Sequence, residues 1–120
     1  MNIQTHLINN TKVAEVISDE MIIRTAEDGL GLLGDIYYQG FDNLIIYDRN
    51  ITVDFFDLKN RIAGEILQKF SNYRVRLAIV GDFTNYSGKS IRDFIFESNK
   101  MGHINFVISL SEALAKLSKR

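Results

Sequence analysis

The sequence predicts an α/β fold: a mixed sheet of about five strands, made of an N-terminal antiparallel hairpin and parallel core strands, with four helices packed on it. Three observations predict it. Apolar, largely β-branched runs at residues 44–47, 75–80 and 104–108 each end in an acidic or polar turn and give way to a helical pattern, the alternation of a parallel sheet. The opening stretch alternates apolar and polar residues around Asn9-Asn10. Ser or Thr followed three residues later by Asp or Glu stands ahead of several helical patterns.

Taken in order, residues 5–8 and 13–17 are strands joined through Asn9-Asn10, because Asn tolerates positive φ and suits a tight hairpin turn. Thr25 with Asp28 then opens a helix whose apolar stripe is Ala26, Leu30, Leu33 and Tyr37. Gly29, Gly31 and Gly34 each cost about 1 kcal/mol against Ala inside a helix. This element therefore leans on tertiary packing, and its glycines serve either close approach or local mobility.

Residues 53–73 predict the strongest helix, with Phe55, Leu58, Ile62, Ile66 and Phe70 in one stripe and Phe56, Ala63 and Leu67 widening it. On its other side Asp57, Arg61, Glu65 and Lys69 succeed each other at four-residue steps, which predicts i, i+4 ion pairs on a solvated face. Ser87 or Ser90 begins a third helix through Ile91, Phe94 and Ile95, with Asp93 completing a second Ser-x-x-Asp box, and Met101-Gly102 ends it. After the last strand, Ser109 with Glu112 caps a terminal helix carrying Ala113, Leu114 and Leu117. Lys116, Lys119 and Arg120 lie near its carboxyl end, where the helix dipole favours cations.

Composition narrows the function classes. The chain of 120 residues, 46% hydrophobic and 24% charged, reads as one α/β domain over 1–120. A net charge of −1 supplies no basic field, so neither nucleic acid nor a membrane surface is expected as a partner. No cysteine is present, which removes disulfides, thiol catalysis and zinc-thiolate sites together. With no basic-then-apolar leader at Met1-Asn2-Ile3-Gln4 and no run long enough to span a membrane, a cytoplasmic address is expected. Proline is absent too, leaving the turns to Gly, Asn, Asp and Ser.

In an open parallel sheet ligands gather at the carboxyl ends of the strands, so the polar residues there are the first candidates for a site. Asp48 and Asp82 close two successive core strands and would place two carboxylates on that rim, a pair able to hold Mg²⁺ through water. Asp also follows strands simply because it initiates turns. Segment 81–90 follows a strand, precedes a helix and ends in Gly88-Lys89-Ser90. A phosphate-binding P-loop needs four residues between its glycines, whereas here there are six, with Phe83 where the first glycine belongs. Lys89 and Ser90 remain the nearest partners for any phosphate bound beside Asp48 and Asp82. These four are the candidate ligand residues; no catalytic set, metal site or cofactor is expected. His6 and His103 are single and lack acidic residues at ligand spacing, and no Gly-x-Ser-x-Gly elbow occurs. The tyrosines do not interleave with basic residues. Arg74 and Arg76, flanking Val75, read as solvated edge charges.

The run Asp54-Phe55-Phe56-Asp57-Leu58-Lys59, continued by residues 63–74 and by Leu77-Ala78-Ile79-Val80-Gly81-Asp82-Phe83, closely resembles a bacterial family known as domain of unknown function 4180. The likeness extends to Val16-Ile17-Ser18, Tyr38-Gln39-Gly40, Lys89-Ser90, Arg92-Asp93-Phe94-Ile95 and Glu97-Ser98-Asn99. It implies a fold and no established activity. Where the family pattern is expected to read Lys-Thr-Gly-Leu-Ala-Gly-Glu, this chain has Lys59-Asn60-Arg61-Ile62-Ala63-Gly64-Glu65. Gly88 stands where a polar residue is usual. More distantly, the order of elements is similar to STAS regulatory domains, which carry a phosphorylatable Ser or Thr at the start of the helix after a core strand. Asn60, in roughly that region, cannot accept a phosphate in that way.

The function expected on this footing is a non-catalytic cytoplasmic regulatory or protein-interaction module of STAS-like type, with another protein or a second copy of itself as partner. The alternative is a small enzyme or phosphometabolite-binding domain using the crevice of Asp48, Asp82, Lys89 and Ser90.

Overall fold

Asn9 and Asn10, at φ 51° and 65°, turn the chain tightly between β1 (Asn2–Ile8) and β2 (Thr11–Ile17), which pair antiparallel over seven residues from Asn2↔Ile17 to Ile8↔Thr11. This is the mirror-image turn that matches strand twist, and Asn is the non-glycine residue that enters it most cheaply. The structure, a computed structural model, describes residues 1–118. From β2 the chain runs through α1 (Ala26–Tyr38), β3 (Asn43–Tyr47), α2 (Ile62–Asn72), β4 (Arg76–Val80), α3 (Lys89–Met101), β5 (Ile104–Val107) and α4 (Leu110–Leu117). The sheet order is β1-β2-β3-β4-β5, with every pair after the first parallel.

Sequential order has a geometric consequence. Crossovers of one hand, made always in the same direction, put every crossover helix on the same face of the sheet. Leu32, Leu33 and Ile36 of α1, Ala63, Ile66, Leu67 and Phe70 of α2, and Ile91 of α3 accordingly share one core with Ala14, Val16, Leu44, Ile46, Leu77, Ile79 and Phe106. The opposite face holds Val13, Ile45, Ala78, Val80 and Val107 and is covered by Ala113 and Leu117 of α4. The continuous apolar runs of β3, β4 and β5 are buried as such two-sided strands require.

Several local expectations are corrected. The helix expected over 53–73 is broken: 3₁₀ turns occupy Val53–Phe56 and Leu58–Asn60, and α2 starts at Ile62. Thr52, Asp57 and Asn60 each accept a backbone N–H two residues on, at 3.3, 3.4 and 3.0 Å, and so offer the backbone an alternative to a continuous helix. Arg61, between the second 3₁₀ turn and α2, sits in the left-handed region at φ 67°. Asp57, Arg61, Glu65 and Lys69 are all exposed, but no ion pair joins them among the described residues.

In α1 the Thr25 hydroxyl accepts the Asp28 N–H as expected, while the Asp28 carboxylate reaches back to the N–H of Arg24. The buried stripe is Gly29, Leu32, Leu33 and Ile36 rather than one including Leu30 and Tyr37. A Cβ on Gly29 would lie 2.6 Å from Ile66 Cδ1, so close approach of α1 to α2 accounts for this glycine; Gly31 and Gly34 face open space. The Ser90-x-x-Asp93 box does not form, since α3 begins after Gly88 with no side-chain cap and Asp93 pairs with Lys89. Ser109 does cap α4 through the Glu112 N–H, and Gly102 ends α3 at φ 79°. Lys119 and Arg120 lie outside the described residues. Arg76 is no solvated edge charge: its guanidinium donates to the carbonyls of Gly102, Lys116 and Leu117, holding the carboxyl ends of α3 and α4 at once.

Candidate functional site

Asp48 follows β3 directly and Asp82 follows β4 after Gly81, and the parallel register that pairs Tyr47 with Val80 sets the strand ends side by side. A side chain at Gly81 would collide with the Asp48 carboxylate, so glycine is what lets Asp48 fold over the end of β4. Tyr86 comes close enough for the Asp48 charge, after burial, to push its phenol upward.

The other candidates are committed elsewhere. Asp82 Oδ1 accepts the Thr84 hydroxyl at 2.6 Å and the Thr84 N–H at 3.0 Å, contacts that hold this exposed carboxyl below its ordinary value. Lys89 Nζ donates to Asp93 Oδ2 at 2.7 Å along exposed helix, which raises the ammonium. Ser90 is exposed in the first turn of α3. The sheet therefore brings Asp48 and Asp82 to one rim, while Lys89 faces along α3.

The rim also lacks the feature that opens a ligand crevice in α/β sheets. Such crevices form where strand order reverses and successive helices cross to opposite faces. In the order β1-β2-β3-β4-β5 no reversal occurs. Space opens between α3 and the loop after β4, in a groove of about 1100 Å³ lined by Phe83, Thr84, Tyr86, Lys89, Arg92 and Phe96 among others, but by neither Asp48 nor Asp82. Two of its lining residues, Phe83 and Tyr86, belong to an aromatic cluster: Phe56 lies 4.7 Å from Tyr86, and Phe83 meets Phe106 edge-on at 5.3 Å. Phe96 stands at the groove 65% exposed.

One polar constellation escapes the sequence reading. Glu15, 4% exposed in the middle of β2, receives the Tyr47 hydroxyl at 2.7 Å and lies 2.8 Å from His6 Nε2. Burial, and then the Glu15 carboxylate, push the Tyr47 phenol up to about 12, against an opposing pull from Arg49. The Arg49 guanidinium lies over the Tyr47 ring at 4.4 Å. His6 has no acidic residue at ligand spacing in the sequence, yet the hairpin brings Glu15 to it. The available signal was Glu15 itself, a charge inside the apolar run Val13-Ala14-Glu15-Val16, on the strand face it shares with Val13. The network lies on the second sheet face, where Glu15 is in register with Ile45. Its members satisfy one another, as buried polar groups must.

No group of three metal-ligating side chains gathers among the described residues, and none of their helices is long and apolar enough to cross a membrane. No curated protein and no solved structure matches the chain. Residues 8–117 match the family described as Domain of unknown function (DUF4180), and the chain belongs to that family.

Proposed function

We propose that the protein is a non-catalytic protein-interaction module, of the regulatory kind that STAS domains exemplify, working in the cytoplasm. The observation that carries this reading is the groove between α3 and the loop that follows Asp82, whose lining includes exposed Phe96 and Arg92 but neither Asp48 nor Asp82. That groove combines what protein interfaces use as anchors, an exposed aromatic in Phe96 and a guanidinium in Arg92, beside the rings of Phe83 and Tyr86. Lys89 is neutralised by Asp93, while Arg92 has no ion pair among the described residues. The occupant that fits is an extended segment of another protein bearing a carboxylate beside an apolar side chain.

Peptide-display selection on the wild type, followed by affinity measurement on Phe96→Ala and Arg92→Ala, tests this. Enriched peptides should pair Asp or Glu with an aromatic or aliphatic residue and bind both variants at least tenfold more weakly, a loss of about 1.4 kcal/mol or more. Peptides that bind the variants as well as the wild type would remove the groove. Thermal stabilisation of the wild type by Mg²⁺ or Mg²⁺-ATP, lost in Asp48→Asn/Asp82→Asn or in Lys89→Ala, would replace the interaction reading by the ligand-binding one.

A further inference from the structure

We infer that β1 is a self-pairing edge, and that two copies of the chain join through it as antiparallel strands into one ten-stranded sheet.

The two edges of the sheet differ sharply. β5 has four residues, lies between α3 and α4, and is short and covered as protected edges are. β1 has seven residues in unbroken register with β2, with no bulge, no proline and no Lys, Arg, Asp or Glu along Asn2–Ile8. None of the usual defences of an edge strand is present.

The hairpin determines which main-chain groups are free. A two-residue turn closes on a hydrogen-bonded pair, here Ile8 and Thr11, so Asn2, Gln4, His6 and Ile8 direct their N–H and C=O toward β2. Ile3, Thr5 and Leu7 direct theirs outward. Among the described residues, the approach to these outward groups is that of Gln4 Nε2, 3.5 Å from the Thr5 carbonyl.

The strand is complementary to itself. A two-fold axis at Thr5 sets Thr5 against Thr5 of the second copy and Ile3 against Leu7, so that each outward N–H meets an outward carbonyl in the pattern antiparallel pairing requires. The same register matches side chains. Leu7, 71% exposed, falls opposite Ile3, which is half-buried against the main core. Gln4 falls opposite His6 on the other face. No like charges meet, and the apolar Ile–Leu contact occurs twice by symmetry. An added foreign strand would satisfy the main chain equally but has no reason to place Leu opposite Ile3 and Ile opposite Leu7. A single strand pair is at the small end of specific interfaces, so the dissociation constant belongs in the micromolar range. The α3 groove lies at the opposite end of the sheet, so this inference and the proposed function stand or fall separately.

Sedimentation velocity across a micromolar concentration series tests it. The wild type should shift reversibly from monomer to dimer, and Thr5→Pro, which removes an outward N–H and no bond to β2, should stay monomeric with an unchanged far-ultraviolet spectrum. Leu7→Lys, at an exposed position, serves if Thr5→Pro does not fold, and should likewise be monomeric. Because the chain has no cysteine, Thr5→Cys should form a disulfide-linked dimer on mild oxidation, whereas Ser111→Cys on exposed α4 should not. A wild type that remains monomeric throughout the series, or a dimer that Leu7→Lys leaves intact, overturns the inference.

Discussion

Tyr47 donates its hydroxyl to Glu15 at 2.7 Å across two neighbouring parallel strands, fixing a buried carboxylate from the side opposite His6. Tyr47→Phe deletes that donor while keeping the ring under Arg49. A hydrogen bond to a charged group contributes about 1.5–3 kcal/mol, and urea unfolding at neutral pH should show a loss near the lower end, since the ring is half-buried. The folded-state phenol is raised from 10.0 to about 12, so its contribution is complete below pH 10.0 and is lost as pH climbs toward 12. The wild type should lose stability across that window more steeply than Tyr47→Phe. Parallel curves for the two proteins would show that Tyr47 does not feel Glu15.

Gly29 and Gly31 are neighbours on α1 with opposite expected responses. Gly29→Ala drives a methyl into Ile66 and should destabilise by about 1–3 kcal/mol, the usual cost of overpacking; Ile66→Ala in the same chain should relieve part of the clash. Gly31→Ala meets no atom within 4 Å and should stabilise by up to about 1 kcal/mol through helix propensity. Thermal melts of the three variants check both signs.

Arg61 holds a left-handed conformation with no side-chain cap for α2. Left-handed backbone costs a non-glycine residue about 1–2 kcal/mol, so Arg61→Gly should raise stability despite the added chain entropy. Arg61→Val, β-branched and poorly suited to positive φ, should lower it. Chemical denaturation orders the three proteins as Gly, Arg, Val if the break between the 3₁₀ turns and α2 is as described.

Phe70 and Lys69 are adjacent but face opposite ways. Phe70 is fully buried and Lys69 exposed, so Phe70→Ala should cost about 3–5 kcal/mol and Lys69→Ala about 0.5 kcal/mol or less. Equal losses would contradict the placement of α2 against the sheet.

These contrasts show what the sequence could convey. Asn9-Asn10, the apolar runs of β3 to β5 and the Ser109–Glu112 cap were legible because each is a local pattern with one cheap conformation. The break before α2 was not, because Phe55, Leu58 and Ile62 keep near-helical spacing through the 3₁₀ turns while the deciding contacts are side chain to backbone at Thr52, Asp57 and Asn60. In α1 the stripe shifted because Gly29, apolar by absence of a side chain, forms the contact with Ile66. At the candidate site, the position of Asp48 and Asp82 just past β3 and β4 was legible from the apolar runs before them, but whether a rim becomes a crevice depends on strand order, which composition and periodicity do not encode. Glu15 and His6 meet across a hairpin and Tyr47 joins them from 32 residues away, a relationship fixed by register.

The sequential order of the strands also bears on how the chain is made. Each strand settles beside the one synthesised just before it, so no strand pairing has to wait for a strand made much later. The hairpin can form while the rest is still on the ribosome, and each helix–strand unit can then dock as it emerges. Until β2 gains its parallel neighbour, however, the nascent hairpin shows two open edges, and polysomes carrying neighbouring nascent chains are where its adhesive side would first be met.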